Sequence, residues 1–389
     1  MPSRTVAPLR ALVLSAARNE RRIEGKRGSG TSEPGLGYVA YAAVRSARLV
    51  TVRRRRAVVA GLTVGVLAAF WARVLLGDFP VTFPDFLTIL GGGTIPDVPS
   101  ASFIVREVKL PRAVLAVLVG AAFGVGGAIF QAVLRNPLAS PDIVGVSIGA
   151  SAAAVLAIIT FGLAGPVVSV WAVCGALATA LTIRLVSRGS GPARGHAAAV
   201  SPYRLVLFGV VAAATLQSVV QYLFTRADLY DAQLTLRWLM GSVSAADWPT
   251  IRVLAVVLLV LLPLVGWTAR TLPAIELGSD AATALGIPPA RTDLMLLLAV
   301  VLVAVAVAAS GSIAFVAFLS GPVARALNHD RTTLAGAALA GALTVVAGDY
   351  VGDYWVPGCN YPVGVVTGAV GAPFLLWLLV RGRRSREAA

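Results

Sequence analysis

"AVLAVLVGAAFGVGGAIFQAVL", Ala113 to Leu134, runs twenty-two residues without a charge. About 20 apolar residues are what a helix needs to cross the hydrocarbon of a bilayer. The apolar residues are continuous rather than alternating, which excludes the strand pattern of a membrane barrel. The chain then changes character in "RNPLASPDIVGVSIGAS", Arg135 to Ser151. Pro137 and Pro141 restrict the backbone and end the preceding helix. Asn136 and Asp142 are placed to satisfy exposed backbone groups and to help start the next helix. Gly145, Ser147, Gly149 and Ser151 give that next helix a small, close-packing start. The stretch reads as one membrane span, a rigid turn and the beginning of a second.

The rest of the chain repeats this theme. Of its 389 residues 57% are hydrophobic and 13% charged, where a soluble domain carries about 25% charged residues. The expected fold is an all-α polytopic membrane protein. Ten spans are expected near 57–76, 112–134, 144–162, 166–186, 203–224, 251–269, 292–310, 313–327, 332–352 and 362–380. The eighth, "IAFVAFLSGPVARAL", is short and broken by Gly-Pro, a pattern tolerated only where neighbouring protein satisfies the freed backbone.

Charge distribution gives the orientation. With the N-terminus in the cytoplasm and ten alternating spans, 26 of the 33 Lys and Arg fall on the cytoplasmic side and seven outside. That asymmetry follows the positive-inside rule, puts both termini in the cytoplasm and explains the net charge of +15 without nucleic acid. Residues 1–56 hold thirteen of the basic residues and read as a cytoplasmic tail, disordered or lying on the membrane surface. Residues 57–381 form the ten-span domain, and 382–389 a second cytoplasmic tail. Cys174 sits in an apolar run as a small core residue; a bridge to Cys359 is conceivable but has little to support it.

Catalytic and cofactor motifs are absent from the sequence. There is no GxxxxGK[ST], and neither lysine, Lys26 or Lys109, stands in a phosphate loop, so the chain does not hydrolyse ATP itself. No HExxH or Cys/His cluster offers a metal site, and His196 and His329 read as loop residues. No cofactor is expected, and the chain is not expected to be an enzyme. Asp349 and Asp353, near the outer end of the ninth span, are the candidate intramembrane acids, and no span carries a mid-membrane carboxylate pair. This favours a pathway driven by a partner over a stand-alone, ion-driven transporter, which stays as the alternative.

Four stretches in order carry a resemblance: "VKLPRAVLAVLVGAAFGVGGAIFQAVLRNPLASPDIVGVSIGAS" (108–151), "ELGSDAATALGIPPAR" (276–291), "ASGSIAFVAFLSGPVARALNHDRT" (309–332) and "YPVGVVTGAVGAPFLLWLLVR" (361–381). The chain resembles, over about residues 57–381, the permease subunits of the ABC importer family for ferric siderophores, haem and cobalamin, a type II importer family. The resemblance implies a multi-pass permease in the cell membrane, working as a homo- or heterodimer with cytoplasmic ATP-binding subunits and an extracytoplasmic binding protein. It implies inward transport of a ferric siderophore or related iron chelate, with haem or cobalamin as alternatives.

The resemblance also implies sites. Lys109 and Arg112 match a basic pair that docks acidic residues of the binding protein; as a residue-level reading they could instead anchor at lipid headgroups. Asp353 stands where the family often has a third basic docking residue, a reversal of charge. Leu277, Gly278, Asp280, Ala282, Leu285 and Gly286 fall in the segment that couples to the ATPase, expected as short helices projecting into the cytoplasm and presenting Leu277, Ala281, Ala282 and Leu285 to a groove. Ser201, Pro202 and Tyr203, before Arg204, match the inner gate; Pro202 and Tyr203 depart from its small-hydroxyl pattern. Pro322-Val323 replaces a common Pro-His pair. Gly120, Gly124 and Gly127 fall near one helical face and are read as packing residues. Tyr350, Tyr354, Trp355 and Tyr361 are read as an interfacial aromatic belt, with a lining for the outer mouth as the alternative.

Overall fold

The computed structural model describes residues 36–95, 98, 100–142, 144–187, 202–356 and 358–387. Helices are α1 (Leu36–Leu75), α2 (Phe83–Leu90), α3 (Ser100–Val133), α4 (Val146–Phe161), α5 (Pro166–Ser187), α6 (Pro202–Phe224), α7 (Leu229–Met240), α8 (Trp248–Ile275), α9 (Ser279–Ala284), α10 (Pro289–Ser310), α11 (Val316–Leu327), α12 (Leu334–Tyr354) and α13 (Val363–Glu387). Among the described residues seven helices are long and apolar enough to cross a membrane, and α4, α11 and the Val363–Trp377 part of α13 are shorter apolar helices. Together they fall on the ten expected spans, and the all-α polytopic class stands. The chain divides into two compact units: Gly61–Ala372, and residues up to Ala60 with those from Pro373 onward.

The centre of the Gly61–Ala372 unit is α3. Of its apolar window 78% is buried, against 17–22% for α1, α5, α6 and α8, whose outward faces carry Val64, Val170, Val211 and Leu259. In lipid no hydrophobic force drives two apolar helices together, so close packing of small residues has to do it. Around α3 lie α12, α10 and α11. Gly120 and Gly124 bring the α3 backbone against α12: a Cβ on Gly120 would lie 2.5 Å from Gly341 O, and one on Gly124 would overlap Ala337 O. Gly127 faces α11 at Ala317, and Gly126 faces Val303 of α10. The expected glycine face therefore divides between two neighbours, α12 and α11, and Gly126 adds the contact with α10. Further along, Gly149 of α4 meets Thr179 and Gly175 of α5, as its small start predicts.

The turn after α3 is built mostly as expected. Asn136 Oδ1 accepts from the Leu138 amide at 2.9 Å. Asp142 departs from expectation: its Oδ1 takes the Ser147 hydroxyl rather than a backbone N–H, and its Oδ2 is buried without a hydrogen-bond partner. Burial pushes this carboxyl's pKa up, with hydrogen bonds from Ser147 and Ser140 opposing. Gly145, with φ +87°, starts α4.

Other expectations change. The first span's helix begins at Leu36 rather than near 57, and its apolar window at Thr51. The second span's helix begins before the expected 112: α3 starts at Ser100 and passes through a π turn at Ile104–Lys109. That wider turn sits where Pro111 supplies no N–H. Between α1 and α3, Val74, Val81, Phe86, Ile89, Ala101, Val105 and Ala113 form a second apolar core, with Trp71 edge-on to Phe86. Cys174 is exposed on α5, not in the core, and both cysteines are free.

Two outcomes follow. Gly124→Ala forces overpacking between α3 and α12 and should cost about 1–3 kcal/mol, read as a lower thermal midpoint in detergent, whereas Gly61→Ala, with open space around it, should not lower it. For Asp142 the folded pKa lies above the ordinary 3.8, so the folded state holds its proton more tightly and stability falls as pH rises through the folded value. Asp142→Asn should raise the midpoint at neutral pH, and the gain should vanish as pH drops toward 3.8.

Candidate functional site

Two polar clusters lie at opposite ends of α3. At the outer end, by the charge-derived topology, four ionisable side chains from three helices meet. Arg73 of α1 donates from Nε to Asp349 Oδ2 at 2.7 Å and from Nη2 to Asp353 Oδ2 at 2.9 Å. Arg112 of α3 donates from Nη2 to Asp349 Oδ1 at 2.7 Å and to Asp353 Oδ1 at 2.9 Å. Each guanidinium bridges both carboxylates, and each carboxylate divides its oxygens between both guanidiniums. The i, i+4 spacing of Asp349 and Asp353 puts both acids on one face of α12. The cluster carries no net charge, and its side chains range from 1% exposed at Asp349 to 12% at Arg112. Charges so far out of water persist only when paired on this scale. Tyr354 packs on Arg73, with the guanidinium 5.8 Å from the ring centroid, and Tyr350 packs on Tyr354.

Lys109 is turned inward too. Its ammonium donates to the carbonyls of Leu76 at 2.9 Å and Phe79 at 2.6 Å, so it ties the end of α1 to α3 and is itself buried. The three expected docking residues Lys109, Arg112 and Asp353 thus have their charged groups engaged inside the chain, with little charge open to a partner. The residue that sequence reading missed is Arg73. It looked like one more basic residue at a span end, and nothing local ties it to acids 276 and 280 positions away.

At the inner end, α11 carries the Gly-Pro break. Pro322 has no N–H to give to the carbonyl four residues earlier, which is Phe318. Gln131, near the end of α3 and buried, donates its amide Nε2 to that carbonyl at 3.0 Å. Its Oε1 accepts from Arg325 Nη2 at 2.9 Å. Gly321 makes the room: a Cβ there would overlap Gln131 Oε1. The neighbouring group that the short eighth span required is therefore one amide. Gln131 also went unremarked in the sequence, although it is the sole polar side chain between Ala113 and Leu134.

Beside this joint lies the expected coupling segment. The Leu272–Ile275 helical turn and α9 (Ser279–Ala284) make the anticipated short helices, with Gly278 at φ +118° and Gly286 at φ +81° bounding the second. Leu277 and Leu285 are 66% and 64% exposed. Asp280 is exposed in the first turn of α9. Ala282 differs from expectation: it is buried within the chain rather than presented outward. Arg135, which follows α3, lies over Gly278, where a Cβ would come 3.0 Å from its Nη1. Of the expected gate, Ser201 and the Pro202 side chain lie outside the described residues, and Tyr203 at the start of α6 is 77% exposed. Among the described residues no group of His, Cys, Asp and Glu could hold a metal ion.

A bundle of apolar helices tied together by buried polar clusters defines a multi-pass membrane protein. The chain belongs to the FecCD transport family, whose pattern matches residues 65–381. It is a permease component, a transport subunit rather than an enzyme. It is 34% identical over 293 residues to the ferric enterobactin transport system permease of Escherichia coli K12, covering 75% of this chain and 86% of that one. It is 35% identical over 285 residues to the Fe(3+) dicitrate transport system permease of the same organism, covering 72% and 86%. The vitamin B12 import system permease of Salmonella paratyphi A is 31% identical over 288 residues, covering 72% and 84%. Among solved structures, an inward-facing metal-chelate type ABC transporter superposes with TM-score 0.69 at 25% identity, covering 84% of this chain and 99% of that one.

The outer cluster makes a graded prediction. Asp349→Asn leaves two buried guanidiniums with one carboxylate and should cost about 3–5 kcal/mol, the range for breaking a buried pair. Asp353→Asn, at a site 10% exposed rather than 1%, should cost less. Thermal midpoints of the purified variants check the order.

Proposed function

We propose that this chain is the membrane-spanning permease of an ABC importer that moves a ferric siderophore or related iron chelate inward. The observation that carries the reading is family membership across residues 65–381, with ferric-chelate permeases among the similar proteins. Haem or cobalamin is the second reading, favoured by the likeness to the vitamin B12 permease. The chain does no chemistry on its cargo. Separate ATPase subunits bind ATP and close; that closure has to reach the spans as movement, through a surface the permease offers them.

The coupling corner is the proposed surface. Leu277 and Leu285 flank α9 as exposed leucines, while Ala282 is buried within the chain. Such a pair on a short rigid element suits insertion into a groove. Gly278, Asp280 and Gly286 shape and cap that element. Ser201, Pro202 and Tyr203 are proposed for the inner gate. At the outer end the docking role proposed for Lys109, Arg112 and Asp353 is indirect: with Arg73 and Asp349 they fix the rim on which the binding protein sits. A second permease subunit, identical or related, completes the pathway.

In cells lacking their own ferric-chelate permeases, this chain with its ATPase and binding protein should restore uptake of radioactive iron given as a ferric siderophore, and not of labelled cobalamin. The reverse preference would replace the iron reading with the cobalamin one. Replacing Leu277 and Leu285 together by Asp should reduce co-purification of the ATPase by roughly tenfold or more, the loss expected when two buried anchors go, without loss of the permease from the membrane.

A further inference from the structure

We propose that Gln131 is a positioning residue that carries movement of the coupling corner into the broken helix α11. The proposal rests on the ABC importer reading above and adds a path within the chain. Motion at the cytoplasmic face is useful only if it reaches a helix that can move. That helix is α11, and Gln131 holds it at the turn around Pro322, where one intrahelical hydrogen bond is missing by covalent structure.

The geometry closes a short circuit. Arg135, just past the end of α3, lies over Gly278 of the coupling corner. Four residues earlier, inside α3, Gln131 reaches across to α11. There it holds both sides of the break: the Phe318 carbonyl before Pro322 by its Nε2, and Arg325 after it by its Oε1. Arg325 in turn feels the carboxylate of Glu276, at the start of the coupling corner. One neutral amide therefore joins α3 to both halves of α11. Two directed hydrogen bonds in a buried site fix α11 to α3 by orientation as well as by the close packing of Gly127 on Ala317.

An alternative role is simpler: Gln131 satisfies an orphaned carbonyl and nothing more. The two roles separate when Pro322 is replaced. Pro322→Ala restores an N–H four residues after Phe318, so the carbonyl no longer needs the amide. If satisfaction is the whole role, Pro322→Ala in a Gln131→Leu chain restores everything. If Gln131 transmits movement, Pro322→Ala restores stability and leaves transmission broken.

The experiment uses the full complex of this chain with its ATPase and binding protein in lipid vesicles. Exposed Cys174 and Cys359 are first changed to Ser. Nitroxide labels at Ala326→Cys on α11 and Leu185→Cys on α5 report the distance between the helices by pulsed electron resonance, without nucleotide and after trapping with ATP and vanadate. The unsubstituted chain and Pro322→Ala should show a nucleotide-driven shift. In Gln131→Leu and in Gln131→Leu/Pro322→Ala the shift should fall roughly threefold or more, within the span of measured coupling effects. The double variant should recover the thermal midpoint, and ATP turnover of the complex should stay within about twofold. A double variant that regains the full shift overturns the proposal, as does an undiminished shift in Gln131→Leu or none in the unsubstituted chain. No chelate is used in this readout, so an error in the cargo assignment would leave it unaffected.

Discussion

Everything in this molecule depends on how closely the backbone of α3 can approach its neighbours. Gly120, Gly124 and Gly127 put it against α12 and α11 at distances a single methyl would prevent. Within lipid this closeness replaces the hydrophobic drive that a soluble core would use. It also sets the geometry for polar chemistry. Only because α3 and α12 touch can the Arg112 guanidinium span Asp349 and Asp353, and only because α3 and α11 touch can an amide on one reach a carbonyl on the other.

The two polar clusters solve different problems with different residue types. The outer cluster holds three helix ends together with two cations and two anions, a balance that leaves no buried net charge. The inner joint needs to fill one missing hydrogen bond, so a neutral amide with a donor and an acceptor suffices. Removing one member of the first leaves an uncompensated charge; removing the second leaves an unpaired carbonyl, a smaller penalty that a nearby N–H can repair. The outer end is thus fixed firmly, whereas the inner end is held at one replaceable point. That asymmetry suits the proposal that movement enters α11 from this end.

The spans, the turn after α3, the broken eighth helix and the family were legible from sequence because each is a local pattern: a run of apolar residues, a pair of prolines, a Gly-Pro inside an apolar stretch, four motifs in order. The coupling corner was legible as a segment with its exposed leucines, though the inward face of Ala282 was not. The roles of Lys109 and Arg112 were read from a basic pair near a span end, which says that charge is there and not which way it points. In the folded chain both turn inward, toward carbonyls of Leu76 and Phe79 and toward the acids of α12.

The sequence by itself determined that the chain crosses a membrane many times, where proline falls inside its apolar helices and which transport family it joins. Apolar length and proline position act within a few residues of one another, so a linear reading captures them. Only the tertiary structure decided which polar side chains become partners. Arg73 meets Asp349 across 276 positions, and Gln131 meets Phe318 across 187. A hydrogen bond or ion pair is formed over about 3 Å, and no spacing along the chain encodes a distance that three-helix packing creates.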